Sequence, residues 1–221
     1  MKKALAIIFF LSFFFGSYSE EVKTPDQIEG PTLTAAEVLT IKDKDIVLGN
    51  RDAAVVLFDY SSVTCTHCAQ FDRSVFPKIK EEFIDTGKIA YVKRLIPSNA
   101  PALKTSMFLS CVEDKDVQYK VIKTLLKYQQ QWLFDKDSSY MEKLKYFALL
   151  SGVDSDDFGR CVSDIDLGKQ IYNELIREAK AIELGHSPSF YINGLLYQGR
   201  YEFEDMKQYI ESYLSTTGSA L

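Results

Sequence analysis

Apolar positions change period along the chain, and the changes mark out its elements. Residues 46–48 form a brief apolar run closed by Gly49-Asn50, a candidate edge strand. Residues 53–60 are short and apolar, β-branched at Val55 and Val56, and predict a buried central strand. From Cys68 the period lengthens. Phe71, Val75, Ile79 and Phe83 recur at three- and four-residue spacing, which puts them on one face of a helix. Pro77 lies inside that helix and predicts a kink, because proline supplies no N–H to the preceding turn. Asp85-Thr86-Gly87 ends it, and residues 89–96 predict a second strand, stopped by Pro97.

Residues 100–184 carry no strand signal. Helical stripes follow one another instead: Leu103, Met107, Phe108 and Cys111, then Val117, Val121, Leu125 and Tyr128. Leu144, Phe147, Ala148 and Leu150 make the next, Phe158, Cys161, Ile165 and Leu167 another, and Ile171, Leu175, Ile176 and Ala179 the last. Loops at Asp135-Lys136-Asp137 and Gly152-Val153-Asp154 separate them. Together they predict an all-helical module the size of a small bundle, with Trp132 in its core. Strand signal returns after Gly185-His186-Ser187-Pro188. There Phe190-Tyr191-Ile192 and Leu195-Leu196-Tyr197 flank Asn193-Gly194, a pair that favours a two-residue hairpin turn. Residues 202–214 predict a closing helix with Phe203, Met206, Tyr209, Ile210 and Tyr213 inward.

Residues 1–19 have the make-up of an export signal. Lys2 and Lys3 precede an apolar run from Ala4 to Gly16, and small Ser17 and Ser19 suit cleavage after Ser19. The run is shorter than the ~20 apolar residues of a membrane-spanning helix, so no stable membrane insertion is expected after cleavage. Residues 20–45 form a polar lead, punctuated by Thr24-Pro25 and Gly30-Pro31, in which Thr34 can cap a short helical turn through Leu39. An apolar content of 46% is ample for a globular core. A net charge of -5, without a stripe of lysine and arginine, argues against nucleic acid as a partner.

Export changes how the 4 cysteines are read, since disulfides persist outside the cytosol. An even count favours two bridges, Cys65–Cys68 and Cys111–Cys161. The alternative for the second pair is two buried free thiols on apolar helix faces. Closing that loop would stabilise the fold by roughly 4 kcal/mol in the chain-entropy model, a structural role. Cys65 and Cys68 are spaced differently. Two residues apart, between a strand and a helix, they have the signature of a redox-active dithiol. The rival, half of a zinc site, lacks a second CxxC or paired histidines, so no metal is expected.

Strand, dithiol, helix, strand, helical insert, Ser-Pro, hairpin and helix is the order of a thioredoxin fold, an α/β fold whose central mixed sheet is flanked by helices, with an inserted all-helical domain. The boundaries expected are 46–99 and 185–216 for the two parts of the thioredoxin domain and 100–184 for the insert. The residues also resemble the bacterial DsbA-type thiol:disulfide oxidoreductases. The likeness is carried by Asp59-Tyr60-Ser61-Ser62-Val63-Thr64-Cys65-Thr66-His67-Cys68, by Val75-Phe76-Pro77-Lys78 and Asp85-Thr86-Gly87-Lys88, and by Ser187-Pro188-Ser189-Phe190-Tyr191-Ile192-Asn193-Gly194. Cys111 and Cys161 resemble the extra cysteine pair in the helical insert of one branch of that family.

At a helix start, Cys65 meets free backbone N–H groups and the positive end of the helix dipole, both of which favour a thiolate. A nearby His67 imidazole would favour it further, and Thr66 adds shape and a hydroxyl. Cys65 is then the exposed nucleophile and Cys68, one turn on, the buried resolving thiol. No cofactor beyond this cysteine pair is needed. The resemblance implies that Pro188 is cis and faces the dithiol, with Ser187 offering its backbone to an extended substrate. Asp59, on the strand beneath, is either a proton acceptor for Cys68 or a satisfied core acid, with Lys93 or Arg94 as its partner. His186 reads as a loop residue near the site. The resemblance further implies a periplasmic oxidase acting on reduced, unfolded exported proteins and reoxidised by a DsbB-like quinone-linked membrane protein. Thr66 and Ser187 replace the proline and valine of the best-known oxidases, which keeps a disulfide isomerase or reductase of the same fold as the alternative. A redox-inert binding protein of this fold would have lost an active cysteine, and this chain keeps both.

Overall fold

The computed structural model describes residues 31–134 and 139–218. The expected export signal, the start of the polar lead and the Asp135-Lys136-Asp137 loop lie outside them. β1 (Ile46–Gly49) runs antiparallel to β3 (Ala90–Leu95), which lies parallel to β2 (Val56–Ser61). On the other side of β2 come the antiparallel β4 (Ser189–Ile192) and then β5 (Leu195–Leu196), so the order is β1-β3-β2-β4-β5. β1 therefore is an edge strand and β2 a central one, as their patterns predict. β2 starts later than its apolar run. The Ala53 N–H turns back to the Asn50 carbonyl (3.0 Å), and Asn193 Oδ1 takes the Val56 N–H (2.7 Å). Asn193 and Gly194, at φ 47° and 86°, form the hairpin turn, so a turn residue also stitches the entry of β2. Gly49 is needed where it stands: its φ is +84°, and a Cβ there would lie 2.5 Å from the Ile89 carbonyl oxygen.

The predicted helix after the cysteines is broken more sharply than a kink. α2 (Thr66–Ser74) ends at Val75, and α3 (Phe76–Ile79) restarts with Pro77 in its first turn, where a missing N–H leaves no bond unmade. The chain then widens into a π turn over Lys80–Ile84, which lets both Phe83 and Ile84 reach the core.

Ahead of the sheet, α1 (Ala35–Val38) begins at a Thr34–Glu37 capping box, and Arg94 on β3 pins this lead in place. The guanidinium meets both Asp45 oxygens (2.9 and 2.7 Å), the Tyr60 hydroxyl (2.7 Å) and the Thr40 carbonyl (2.9 Å).

Between β3 and β4 the regular elements among the described residues are helices: α4 (Ala100–Ser110), α5 (Lys115–Lys127), α6 (Gln129–Leu133), α7 (Tyr140–Leu150), α8 (Ser155–Ser163) and α9 (Ile165–Ala181). The fourth apolar stripe divides at Asp164, whose carboxylate caps α9 by accepting the Leu167 N–H (2.9 Å). Ile165 consequently faces solvent, and Leu150, the last residue of α7, is exposed as well. α10 (Phe203–Gly218) closes the chain with Met206 and Ile210 fully buried.

Alternation along β2 sends its side chains to opposite faces. Leu57 packs with Phe71, Ile79, Tyr91, Phe190 and Ile210, while Phe58 and Tyr60 pack on the other face with Val38, Val92 and Tyr191. A third core joins Val63, Cys68 and Ala69 to Phe108, Leu125 and Trp132 of the inserted helices. α2 thus lies between two cores, sheet on one side and inserted helices on the other.

Candidate active site

After β2 the chain turns at Ser62, whose carbonyl accepts the Cys65 N–H (3.1 Å). Cys65 follows in extended conformation as the N-cap of α2, and its Sγ accepts the Cys68 N–H at 3.2 Å. A serine or aspartate oxygen usually does this work at an N-cap. Here a sulfur does it, among the unpaired amides of the first helical turn. Cys65 is partly exposed and Cys68 is 0% exposed, and both are free thiols.

This setting lowers the Cys65 pKa to about 5. The largest contribution is a hydrogen bond from the Cys68 thiol, followed by the Ser187 side chain and the N–H groups of Cys68 and His67, all against the effect of partial burial. Cys68 moves the opposite way. Its bond to Cys65 and its burial hold it as a thiol, and the Asp59 charge adds to this. The pair is therefore polarised into one sulfur that favours the thiolate and one that keeps its proton. His67 contributes through its backbone N–H, while its side chain lies at the surface. Thr66 is exposed beside it.

The Ser187–Pro188 peptide bond is cis, and the Ser187 carbonyl accepts a hydrogen bond from the Cys65 thiol at 3.3 Å. A groove of about 470 Å³ runs alongside, lined by His67, Phe71, His186, Pro188 and Tyr201 among others. Both histidines of the chain line it. His186 donates from Nδ1 to the Pro188 carbonyl (2.9 Å), and the Tyr201 hydroxyl donates to the same oxygen (3.1 Å).

Asp59 is 0% exposed on β2 and fully engaged: it accepts from the Ser61 and Tyr91 hydroxyls and from Lys93 Nζ at 2.6 Å. Its ion-pair partner is Lys93, since Arg94 is taken by Asp45. Cys111 and Cys161 form a disulfide between the end of α4 and α8. No group of three or more His, Cys, Asp or Glu arranged to hold a metal occurs among the described residues.

Sequence reasoning missed the residues that hold the turn. Gln129, on α6, donates from Nε2 to the carbonyls of Val63 (2.8 Å) and Cys65 (3.0 Å). On the other side the Ser62 hydroxyl bonds those of Thr64 (3.0 Å) and Ser98 (2.9 Å), and Asn99 donates to Thr64 Oγ1 (3.0 Å). Only the three glutamines between apolar α5 and Trp132 hinted at the first contact.

Comparison with known proteins agrees with this geometry. Residues 42–212 match the family model described as Thioredoxin. The chain belongs to that family. It is similar to alpha-DsbA1 of Wolbachia pipientis, with a TM-score of 0.74, 28% identity, and coverage of 83% of this chain and 97% of that one. A Rickettsia conorii protein provisionally named a protein-disulfide oxidoreductase is 28% identical over 199 residues, which is 89% of this chain and 71% of that protein. Disulfide bond formation protein D of Bacillus subtilis is 23% identical over 180 residues, 76% of each. This chain spans 59% to 71% of the length of its Rickettsia relatives. It is a DsbA-type thiol:disulfide oxidoreductase, and the redox work falls to its cysteine pair.

Proposed function

We propose that the protein works in the periplasm as an oxidase, donating the Cys65–Cys68 disulfide to reduced, unfolded exported proteins. One observation carries this reading: the Cys65 sulfur caps α2 in a setting that favours its thiolate, and stabilising the reduced form makes the disulfide a stronger oxidant. A substrate thiolate attacks Cys65 Sγ, the Cys65–Cys68 bond breaks, and Cys68 leaves to become a thiol. The second substrate thiolate attacks the substrate sulfur of the mixed disulfide. The substrate departs oxidised, and both electrons remain on the enzyme as the Cys65 thiolate and Cys68 thiol. Asp59 is the proposed proton relay for Cys68, the groove beside cis-Pro188 and Ser187 the site for an extended substrate segment, and Cys111–Cys161 a structural bridge. The export signal of residues 1–19 delivers the protein, and a DsbB-like quinone-linked membrane protein reoxidises it.

Ser187 next to Pro188 supports a second reading, a disulfide isomerase or reductase, because its side chain enters the thiolate environment directly. Residues 20–221 given a reduced, unfolded substrate and, separately, a scrambled one separate the two. Rapid net oxidation with little reshuffling is the expected result. Reshuffling with little net oxidation overturns the oxidase.

A further inference from the structure

We propose that Gln129 is a positioning residue for the reactive cysteine: by holding the Val63 and Cys65 carbonyls, it fixes the turn whose amides point at Cys65 Sγ. Gln129 is 2% exposed, and its single amide nitrogen donates to both oxygens, at 2.8 and 3.0 Å. The Cys65 carbonyl also accepts the Ala69 N–H (3.1 Å), the first bond of the α2 ladder. Each peptide unit is planar, so a fixed carbonyl fixes the N–H of the following residue. Holding the Val63 carbonyl orients the Thr64 amide, and holding the Cys65 carbonyl orients the Thr66 amide. The next amides along, those of His67 and Cys68, are the ones that stabilise the sulfur.

The chemical fit is specific. Two carbonyls a helical turn's entry apart need two hydrogens from one small group, and a primary amide supplies them. Glutamine reaches from α6, so the inserted helices act on the Cys65 sulfur through the backbone that carries it. The hydroxyls of Ser62, Thr64 and Ser98 hold the opposite side of the same turn, which leaves the Gln129 side as the one set by the insert. Without the amide, two buried carbonyls lose a donor, and the turn is free to reorient toward other partners. The proposal rests on Cys65 being the nucleophile and is independent of the direction in which the enzyme runs.

Gln129→Leu and Gln129→Met remove both donors and keep the side chain apolar and of similar size. The pKa of Cys65, read from thiolate absorbance near 240 nm, is expected to rise by roughly one unit. The equilibrium with glutathione should shift several-fold toward the disulfide form of the protein. Trp132→Phe serves as the structural control, because the single side-chain donor of Trp132, Nε1–H, goes to the Leu125 carbonyl (2.8 Å) and not to a carbonyl of the turn. It should lower Tm and leave the Cys65 pKa where it was. An unchanged pKa and glutathione equilibrium in a folded Gln129 variant overturns the proposal, as does an equal shift in Trp132→Phe. An ordinary Cys65 pKa in the unmodified protein instead overturns the reading of Cys65 itself. Should Gln129→Leu not fold, Gln129→Met decides on the same two measurements.

Discussion

Lys93 Nζ stands 2.6 Å from an Asp59 carboxylate oxygen, with the carboxylate wholly and the ammonium almost wholly removed from solvent. Charges in such a place are tolerated because each is met. Tyr91 and Ser61 hydroxyls complete the Asp59 shell. Asp59 lies on the side of β2 that faces α2, and its charge helps hold Cys68 as a thiol.

Removing one partner strands the other in the core. Lys93→Met should destabilise the fold by about 3–5 kcal/mol in urea unfolding, more than a surface lysine would. The double change Lys93→Met with Asp59→Asn should cost less than the sum of the single changes, because the stranded charge is gone. Additive losses would count against a coupled pair.

Ser187→Val removes a side chain that stabilises the Cys65 thiolate. The Cys65 pKa should therefore rise above about 5, and absorbance titration near 240 nm reads the change directly. A pKa that stays put would assign the stabilisation to the helix amides and Cys68 alone.

The pH dependence follows from the sign of that shift. The folded-state pKa of Cys65, about 5, lies below its ordinary 9.0, so the thiolate stabilises the folded reduced protein. That contribution is complete above the ordinary value and is lost as pH falls through about 5. The disulfide form carries no such group. The Tm advantage attributable to the thiolate should shrink on acidification from neutral pH, and alkylation of Cys65 should slow about tenfold per pH unit below its pKa.

Accessibility separates the two thiols as well. Iodoacetamide at neutral pH should label Cys65 in the folded, reduced protein and reach Cys68 only after unfolding, a difference that mass spectrometry of tryptic peptides resolves. Equal labelling of the folded protein would contradict the buried position of Cys68.

Replacing both Cys111 and Cys161 by alanine opens a loop of sequence separation 50. Stability should fall by about 2–4 kcal/mol, while the Cys65 alkylation rate stays unchanged. A slower rate would tie this bridge to the reaction.

The sheet was legible in the sequence because its strands are short apolar runs bounded by Gly, Asn and Pro, and Asn193-Gly194 sets its own turn. The dithiol was legible from spacing alone. The register of α2, α3 and the π turn was less so, since apolar spacing of three and four survives a helix break when Val75 and Phe76 are both buried. α6 left no apolar period: three glutamines, the first of them buried, precede its one buried apolar residue, Trp132. Asp164 ends one helix and caps the next, which no apolar stripe records, so Ile165 was placed on the wrong side. Asp59 showed its type but not its partner, because Lys93 and Arg94 alternate across the strand and only the tertiary packing assigns each to a carboxylate.

α2 has one face against the sheet and the other against the inserted helices, and Cys68 sits on the second. The insert is therefore no appendage that could be trimmed to leave a smaller working enzyme. A shortened chain joining β3 directly to β4 would keep Phe71 and Val75 covered and lay Val63, Cys68 and Ala69 open to water. Cys68 would lose the burial that helps hold it as a thiol, while the amides of α2 would still favour a thiolate at Cys65.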